Sequence, residues 1–408
     1  MELLSSSGLD RRDALPRNVA NAQNEPVRER PGDILNDQTA WIESLSPWPA
    51  DGFGLERIRA LLRELGDPQL AYPAIHVVGT NGKSTTVRML EALLADAGLT
   101  VGTYVSPHVS GWAERIRVGG EEADFEAAVA RVRRAAERLE ATQFEALTAA
   151  ALAAFAAAGV GVAVVEAGLG GRYDATNVLD TRVVVLTSVA LEHTDVLGST
   201  REEIAAEKLA VVHPGNTVVL GEPEWEELAR DEGADEVVVV ARSNLALAVA
   251  AAERFLGRDV DPSPASAVRL PGRMEHRGDA PLELWDGAHN MAGIGWLLPR
   301  LPTRRYVVVA SILADKRPEL MLRALSVLGD TLVATASSSG RALSAEALAA
   351  AARGHFETIE AVPGPGRALE RARELAGPDG AVLVTGSLYL LADLYKEEHV
   401  PWRTSATS

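Results

Sequence analysis

No cysteine occurs among the 408 residues. That excludes disulfides and thiolate metal sites, and it suits a reducing compartment. No apolar run approaches the roughly 20 residues that a membrane helix needs, and the amino terminus carries no signal-peptide pattern. The expectation is a cytoplasmic protein without a membrane partner. Positive charge is also scarce: 40 Lys and Arg stand against 57 Asp and Glu, a net charge of −17. Such a balance argues against a general nucleic-acid surface, so any bound anion must be held by local features. No internal repeat is visible, and the alanine-rich stretches are explained by helix propensity. What is present is an apolar fraction of 47%, ample for globular folding, on a chain too long for one ordinary core.

Residues 1 to about 35 are polar and charged, with five arginines among scattered acids, and read as a disordered extension. Short helices are expected around Trp41–Leu45 and Leu55–Leu65. Strand and helix signals then alternate: Ile75–Val78, Val101–Val105, Val162–Val165, Val183–Leu186 and Thr217–Leu220 as strands, with long helices over Phe125–Ala141 and Phe144–Ala158. Alternation of this kind implies a parallel sheet sandwiched by helices. A helix over Asn244–Leu256 leads into Gly257-Arg258-Asp259-Val260-Asp261-Pro262-Ser263-Pro264, the best candidate linker. A second α/β pattern follows, with strands at Leu282–Trp285, Tyr306–Ala310, Thr331–Ala334 and Ala381–Thr385. Domains over 36–262 and 265–408 are therefore expected.

The most informative segment is Ile75-His76-Val77-Val78-Gly79-Thr80-Asn81-Gly82-Lys83-Ser84-Thr85. It reads as a buried strand, a glycine-rich turn, then a lysine and two hydroxyls opening a helix. Glycines allow several amide N–H groups to point at one anion, the helix N-terminus adds partial positive charge, and Lys83 can reach outer phosphates. Ser84 and Thr85 can hydrogen-bond phosphate or help to hold Mg²⁺. A chance turn would explain the short G-x-x-G-K-S-T match alone; the apolar lead-in and the helical spacing of Val87, Leu90, Leu93 and Leu94 favour a nucleotide site.

Four further clusters follow. Ser106 and His108 come directly after a strand, where ligands of open α/β sheets collect, although a Ser-Pro turn explains either alone. Glu166 closes an apolar strand before Gly168-Leu169-Gly170-Gly171-Arg172, where a carboxylate can bind metal and glycines let phosphate approach. Arg172, Asp174, Thr176 and Asn177 continue that loop; a capped turn explains them, least well for Arg172 and Asn177. Leu191-Glu192-His193-Thr194-Asp195 follows another apolar strand, and neutral imidazole can complete a Mg²⁺ shell. Glu207-Lys208 read as part of a solvated helical face. In the second half, Arg273 and the Trp285-Asp286-Gly287-Ala288-His289-Asn290 run can contact ribose or phosphate across a cleft, with Arg273 neutralising charge on a transferring phosphate. Asp315-Lys316 and Thr385-Gly386-Ser387 are explained almost as well by turn chemistry.

Taken together and in order, I-H-V-V-G-T-N-G-K-S-T, Y-V-S-P-H, F-E-A-L-T-A-A-A, E-A-G-L-G-G-R-Y-D-A-T-N, L-E-H-T-D-V-L-G-S-T, P-G-R, W-D-G-A-H-N and T-G-S-L-Y-L resemble the folylpolyglutamate synthase/dihydrofolate synthase branch of the ATP-dependent Mur ligases, from about Gln38 to about Leu394. The resemblance implies an α/β fold: a P-loop parallel-sheet ATPase domain followed by a smaller Rossmann-like carboxyl-terminal domain. It implies ATP and Mg²⁺, with Gly79, Thr80, Asn81, Gly82, Lys83, Ser84 and Thr85 on the phosphates, Asn244 near the adenine, and Arg273, Asp286 and His289 closing on the nucleotide. Ser106, Glu166 and His193 would hold the metal. Lys208 aligns with a lysine carbamylated in the family; Lys83, Lys208, Arg273 and His289 would be the catalytic set. The implied substrates are dihydropteroate or folate and L-glutamate, and the implied state is a monomer. Two departures stand out. Glu192 occupies a position usually held by Asp. The stretch from Pro214 to Asn244 is short, lacking the G-x-H-Q that normally precedes the Asn, so that either adenine recognition differs or the first domain is trimmed.

Overall fold

Valine-rich runs build the centres of two sheets in the computed structural model, which describes residues 37–49 and 52–398. The expected extension over 1–35 lies outside the described residues. In chain order the strands are β1 Ala74–Val78, β2 Val101–Tyr104, β3 Ile116–Val118, β4 Glu121–Glu122, β5 Val162–Glu166, β6 Thr181–Leu186, β7 Thr217–Leu220, β8 Glu236–Val239, β9 Glu275–Asp279, β10 Leu282–Trp285, β11 Tyr306–Ala310, β12 Thr331–Ala334, β13 Thr358–Ala361 and β14 Ala381–Thr385. The first sheet has the order β4-β3-β2-β5-β1-β6-β7-β8 and the second β13-β12-β11-β14-β10-β9. Pairing is parallel from β2 through to β8; β3 and β4 turn back antiparallel at one edge. In the second sheet only β9 runs antiparallel.

The expected strands all form, because a parallel strand covered on both faces must be apolar throughout. Strands β1, β5, β11 and β14 are buried at every position. The strands that periodicity misses lie at or next to the sheet edges: β3, β4 and β8 in the first sheet, β9 and β13 in the second. β9 and β13 carry Glu275, Arg277, Asp279 and Glu360, and such charge discourages further pairing at an open edge.

Helices Phe125–Arg138 and Gln143–Ala158 cover one face of the first sheet, while Lys83–Asp96 and Asn244–Leu256 cover the other. Thr142 and Glu145 close a reciprocal capping box at the start of Gln143–Ala158, and Gly159 (φ +62°) ends it in the left-handed region. Phe155 in this helix lies flat over Gly102 of β2, where a Cβ would come within 2.6 Å of its ring. Pro262 caps the short turn Ser263–Ser266, which contains Pro264 and whose Ala265 is buried in the first sheet's core. The second sheet is covered by Met291–Leu297, Pro318–Leu325 and Ala345–Ala351 on one side and by Pro365–Ala376 and Leu388–Glu398 on the other.

Residues 37–398 belong to one compact unit by contact. Val109, on the loop after β2, is buried beside Trp285 and Leu391 of the second sheet's core. The carboxyl ends of the strands in the two sheets carry the chemistry, as doubly wound folds require. Phe155→Ala removes a fully buried ring over a glycine that cannot fill the gap. We expect a loss of about 3–5 kcal/mol, seen as a lower urea midpoint at unchanged slope.

Candidate active site

Strand β1 delivers its chain into a turn with almost no spare volume. Gly79 (φ +144°) lies so close to Thr187 that a Cβ would come within 2.0 Å of its hydroxyl, and a Cβ on Gly82 (φ +90°) would come within 2.5 Å of the Asn244 side chain. The loop is pinned from β6: the Thr80 amide donates to the Ser188 carbonyl at 2.8 Å, and the Asn81 amide donates to the Ser188 hydroxyl at 3.1 Å. Gly82 occupies the cap position of helix Lys83–Asp96 in the left-handed conformation. Asn244, which begins the helix after β8, thus touches the phosphate loop although the intervening segment is short.

Lys83 donates to the Thr80 carbonyl at 3.3 Å and lies 3.8 Å from Glu166 at the end of β5. The Ser106 amide donates to the other Glu166 oxygen at 3.2 Å. Burial pushes the Glu166 carboxyl above its ordinary value, while Lys83, Ser84 and the Ser106 amide favour its charged form. Lys208, read above as solvated, is instead buried beneath the loop and donates to the Gly79 carbonyl at 3.0 Å. Burial, with Lys83 adding to the effect, pulls its ammonium down to about 7.

His193 caps the short helix Thr194–Leu197 in the left-handed conformation. Burial and then the Lys316 charge lower its imidazole to about 4, leaving it neutral at pH 7 and able to act as a ligand. It joins neither Ser106 nor Glu166 by a hydrogen bond. Asp174 turns inward and accepts from the Leu169 amide at 2.7 Å, the Thr176 amide at 3.0 Å and the Thr176 hydroxyl. Arg172 pairs with Glu207 at 3.4 Å and Glu232 at 3.9 Å, so these side chains stiffen the glycine-rich loop.

The second sheet supplies the facing wall. Asp286 is buried after β10 and accepts from the Met274 and Ala288 amides, each at 2.9 Å. Burial raises its carboxyl and the Arg273 charge opposes the rise. Arg273 donates to the Gly272 carbonyl at 3.0 Å, and its charge also reaches Glu166. Asn81 and Asn290 exchange a pair of amide hydrogen bonds at 3.2 and 3.1 Å. Glu192 accepts from Asn290 at 3.2 Å and from Lys316 at 2.8 Å, and lies 3.5 Å from His289. Turn chemistry underrates Lys316, which lies on the loop that follows the apolar strand β11. His108, tilted against Trp112 and accepting from Arg115 at 2.9 Å, lies apart from this joint.

A second hub braces the shortened segment. Glu222 accepts from the Val189 amide at 3.2 Å and from Trp225 at 2.8 Å, and it pairs with Arg201 at 3.1 Å and Arg242 at 2.6 Å. It ties the loop after β6 to the end of β8, next to Asn244. The sequence gives no motif for it.

Residues 77–257 match the Mur ligase middle domain and residues 272–388 the Mur ligase glutamate ligase domain. The dihydrofolate synthase/folylpolyglutamate synthase of Mycobacterium tuberculosis is 34% identical over 388 residues, spanning 76% of this chain and 80% of the relative. The chain belongs to the folylpolyglutamate synthase/dihydrofolate synthase family of Mur ligases. Among solved structures, Escherichia coli FolC in complex with DHPP and ADP superposes with a TM-score of 0.79 at 30% identity, covering 88% of this chain and 96% of that one. The bifunctional Yersinia pestis synthase complexed with AMPPNP and a Mn ion gives 0.79 at 31% identity, covering 88% and 97%. As a member of this family, the protein is an ATP-dependent ligase that works with a divalent metal.

The donor set fits such a metal. Among the described residues no three His, Cys, Asp or Glu side chains gather tightly enough to cage an ion. Mg²⁺ does not need such a cage: it commonly takes one or two carboxylates and completes its shell with phosphate oxygens and water. Glu166, buried beside Ser84 and next to Lys83, is a carboxylate that could serve in this way. Glu166→Gln should weaken nucleotide binding in Mg²⁺ far more than in EDTA. Isothermal titration with AMPPNP measures both, and equal losses would remove Glu166 from the metal site.

Proposed function

We propose that this ligase joins L-glutamate to dihydropteroate, to a (tetrahydro)folate, or to both. The observation that carries the reading is the direct contact between the phosphate loop and the D-G-A-H-N turn through Asn81 and Asn290. A mere nucleotide-binding protein does not need that joint, whereas a ligase must enclose an activated acyl group. Two domains divided near residues 262–265 suit such closure, and a cytoplasmic monomer without nucleic acid completes the proposal.

In this reading the loop amides and Lys83 hold the β- and γ-phosphates, with Thr80, Ser84 and Thr85 lining them and Asn244 beside the base. Ser106, Glu166 and His193 hold the divalent metal, which supplies charge neutralisation on the phosphates. A carboxylate oxygen of the acid attacks the γ-phosphorus, ADP leaves, and Arg273 offsets the negative charge on the transferring group. The glutamate amine then attacks the acyl carbon; phosphate departs and the amine loses its proton. Asp286 orients the turn that carries His289 towards the phosphates. Closure keeps water from the acyl phosphate.

Phosphate release should require the acid and glutamate together. Mass spectrometry should find a product heavier by one glutamyl unit with dihydropteroate, with tetrahydrofolate, or with both. Turnover with neither acid, while ATP still binds, would point instead to a ligase for another carboxylic acid and amine.

Lys208 yields a separate expectation. Carbon dioxide adds only to the neutral amine, and a pKa of about 7 makes that form abundant near neutrality. The resulting carbamate would be a carboxylate-like group under the loop. Because this lysine is neutral above its lowered pKa, carbamate and activity should decline as pH falls through about 7. Bicarbonate should shift the profile towards lower pH, and Lys208→Arg should abolish the bicarbonate effect. A profile indifferent to bicarbonate would reject the modification.

A further inference from the structure

Lys316 lies at the end of the turn Ala314–Lys316, after β11. This turn is held in place from the side: the Ala314 amide donates to the Arg341 carbonyl at 2.9 Å, and Leu313 bridges to Ala342. The ammonium donates to Glu192 Oε1 at 2.8 Å, and the two side chains are only 8% and 9% exposed. Glu192 comes from the first sheet, on the loop after β6. Its other close partners, Asn290 at 3.2 Å and His289 at 3.5 Å, come from the second sheet, as Lys316 does.

A carboxylate surrounded this way has its charge offset only while the two carboxyl edges meet. When they part, Glu192 loses the Lys316 and Asn290 hydrogen bonds and the His289 contact together, so these contacts define one joined geometry. Lys316 supplies the ammonium of the three donors; Asn290 supplies a neutral amide, and the His289 ring is already engaged at Nδ1 with the Gly287 carbonyl at 2.8 Å. Asn290 passes the constraint on, since it exchanges two hydrogen bonds with Asn81 of the phosphate loop. The chain Lys316–Glu192–Asn290–Asn81 therefore runs from one sheet to the other and back to the phosphates.

We infer that Lys316 is a positioning residue for amide formation: through Glu192 it fixes His289 and Asn290 against the phosphate loop, without itself touching nucleotide or acid. The kinetic part of this inference rests on the ligase reading above; the conformational part does not. A misplaced wall leaves binding largely intact but spoils reaction geometry and admits water.

The test compares Lys316→Met, Lys316→Arg, Glu192→Gln and the double variant Glu192→Gln/Lys316→Met, each checked for folding by circular dichroism. Lys316→Met should lower kcat by roughly 10²-fold while KM for ATP and for glutamate stay within about threefold. More phosphate should be released per amide formed, because acyl phosphate is lost to water. Lys316→Arg should recover part of the loss. The double variant should be no worse than the poorer single variant, since both remove one interaction. Unchanged kcat and coupling, or additive losses in the double variant, would overturn the inference. So would a rise confined to the KM for glutamate, which would mean that Lys316 binds the amine substrate. If the wild type forms no amide with either acid, the proposed function fails while this inference stays open to small-angle scattering with AMPPNP and Mn²⁺. Compaction in the wild type but not in Lys316→Met supports it, and equal compaction overturns it. If Lys316→Met does not fold, Glu192→Gln carries the same measurements.

Discussion

A backbone turn with no room for side chains governs this protein. Gly79 is pressed against Thr187 and Gly82 against Asn244, so the phosphate loop is clamped between the strand that follows it in space and a helix begun far along the chain. The clamp explains why the neighbouring groups sit where they do. Lys83 can extend only along the loop towards Glu166, and Lys208 can approach only from beneath, onto the Gly79 carbonyl. A chain of net charge −17 can thus present a concentrated positive field at one point, made of lysines, amides and a helix end, in surroundings that screen it little.

The same crowding determines the state of the ionisable groups. Glu166 and Lys208 are both buried, and burial acts on them in opposite directions, towards the neutral form in each case. The second sheet extends this arrangement with Asp286, Arg273 and the Glu192 cluster, each buried group meeting an opposite charge or a pair of amides.

The sequence revealed much of the framework because the framework obeys simple rules. Central strands such as Val162–Val165 and Tyr306–Ala310 are uninterrupted apolar runs, and most residues named for chemistry follow soon after one. Edge strands such as β9 and β13 escaped because they carry charged residues in place of an uninterrupted apolar run. Lys208 looked solvated because a lysine in a helix usually is; only the tertiary fold puts that position under the loop. Lys316 and Glu222 were missed or underrated for the same reason. Their partners lie 124 and 33 residues away for the Glu192 and Val189 contacts, and no local pattern encodes a contact of that kind. The roles of Arg172 and Asp174 were similarly hidden: both sit beside glycines as ligands would, yet both are engaged within the protein.

Glu222 shows what a shortened chain gives up. One carboxylate serves a backbone amide, an indole and two guanidinium groups, joining these segments at a single point. Gln at that position would keep oxygen acceptance on one side and take the countercharge from Arg242, while Arg201 would keep Glu224 at 2.6 Å; Asp would keep the charge and fall short of its partners. Covering a core through many weak contacts lets a lineage drift, since each contact can be exchanged separately. Concentrating the work on one side chain makes the joint between these segments depend on Glu222 alone.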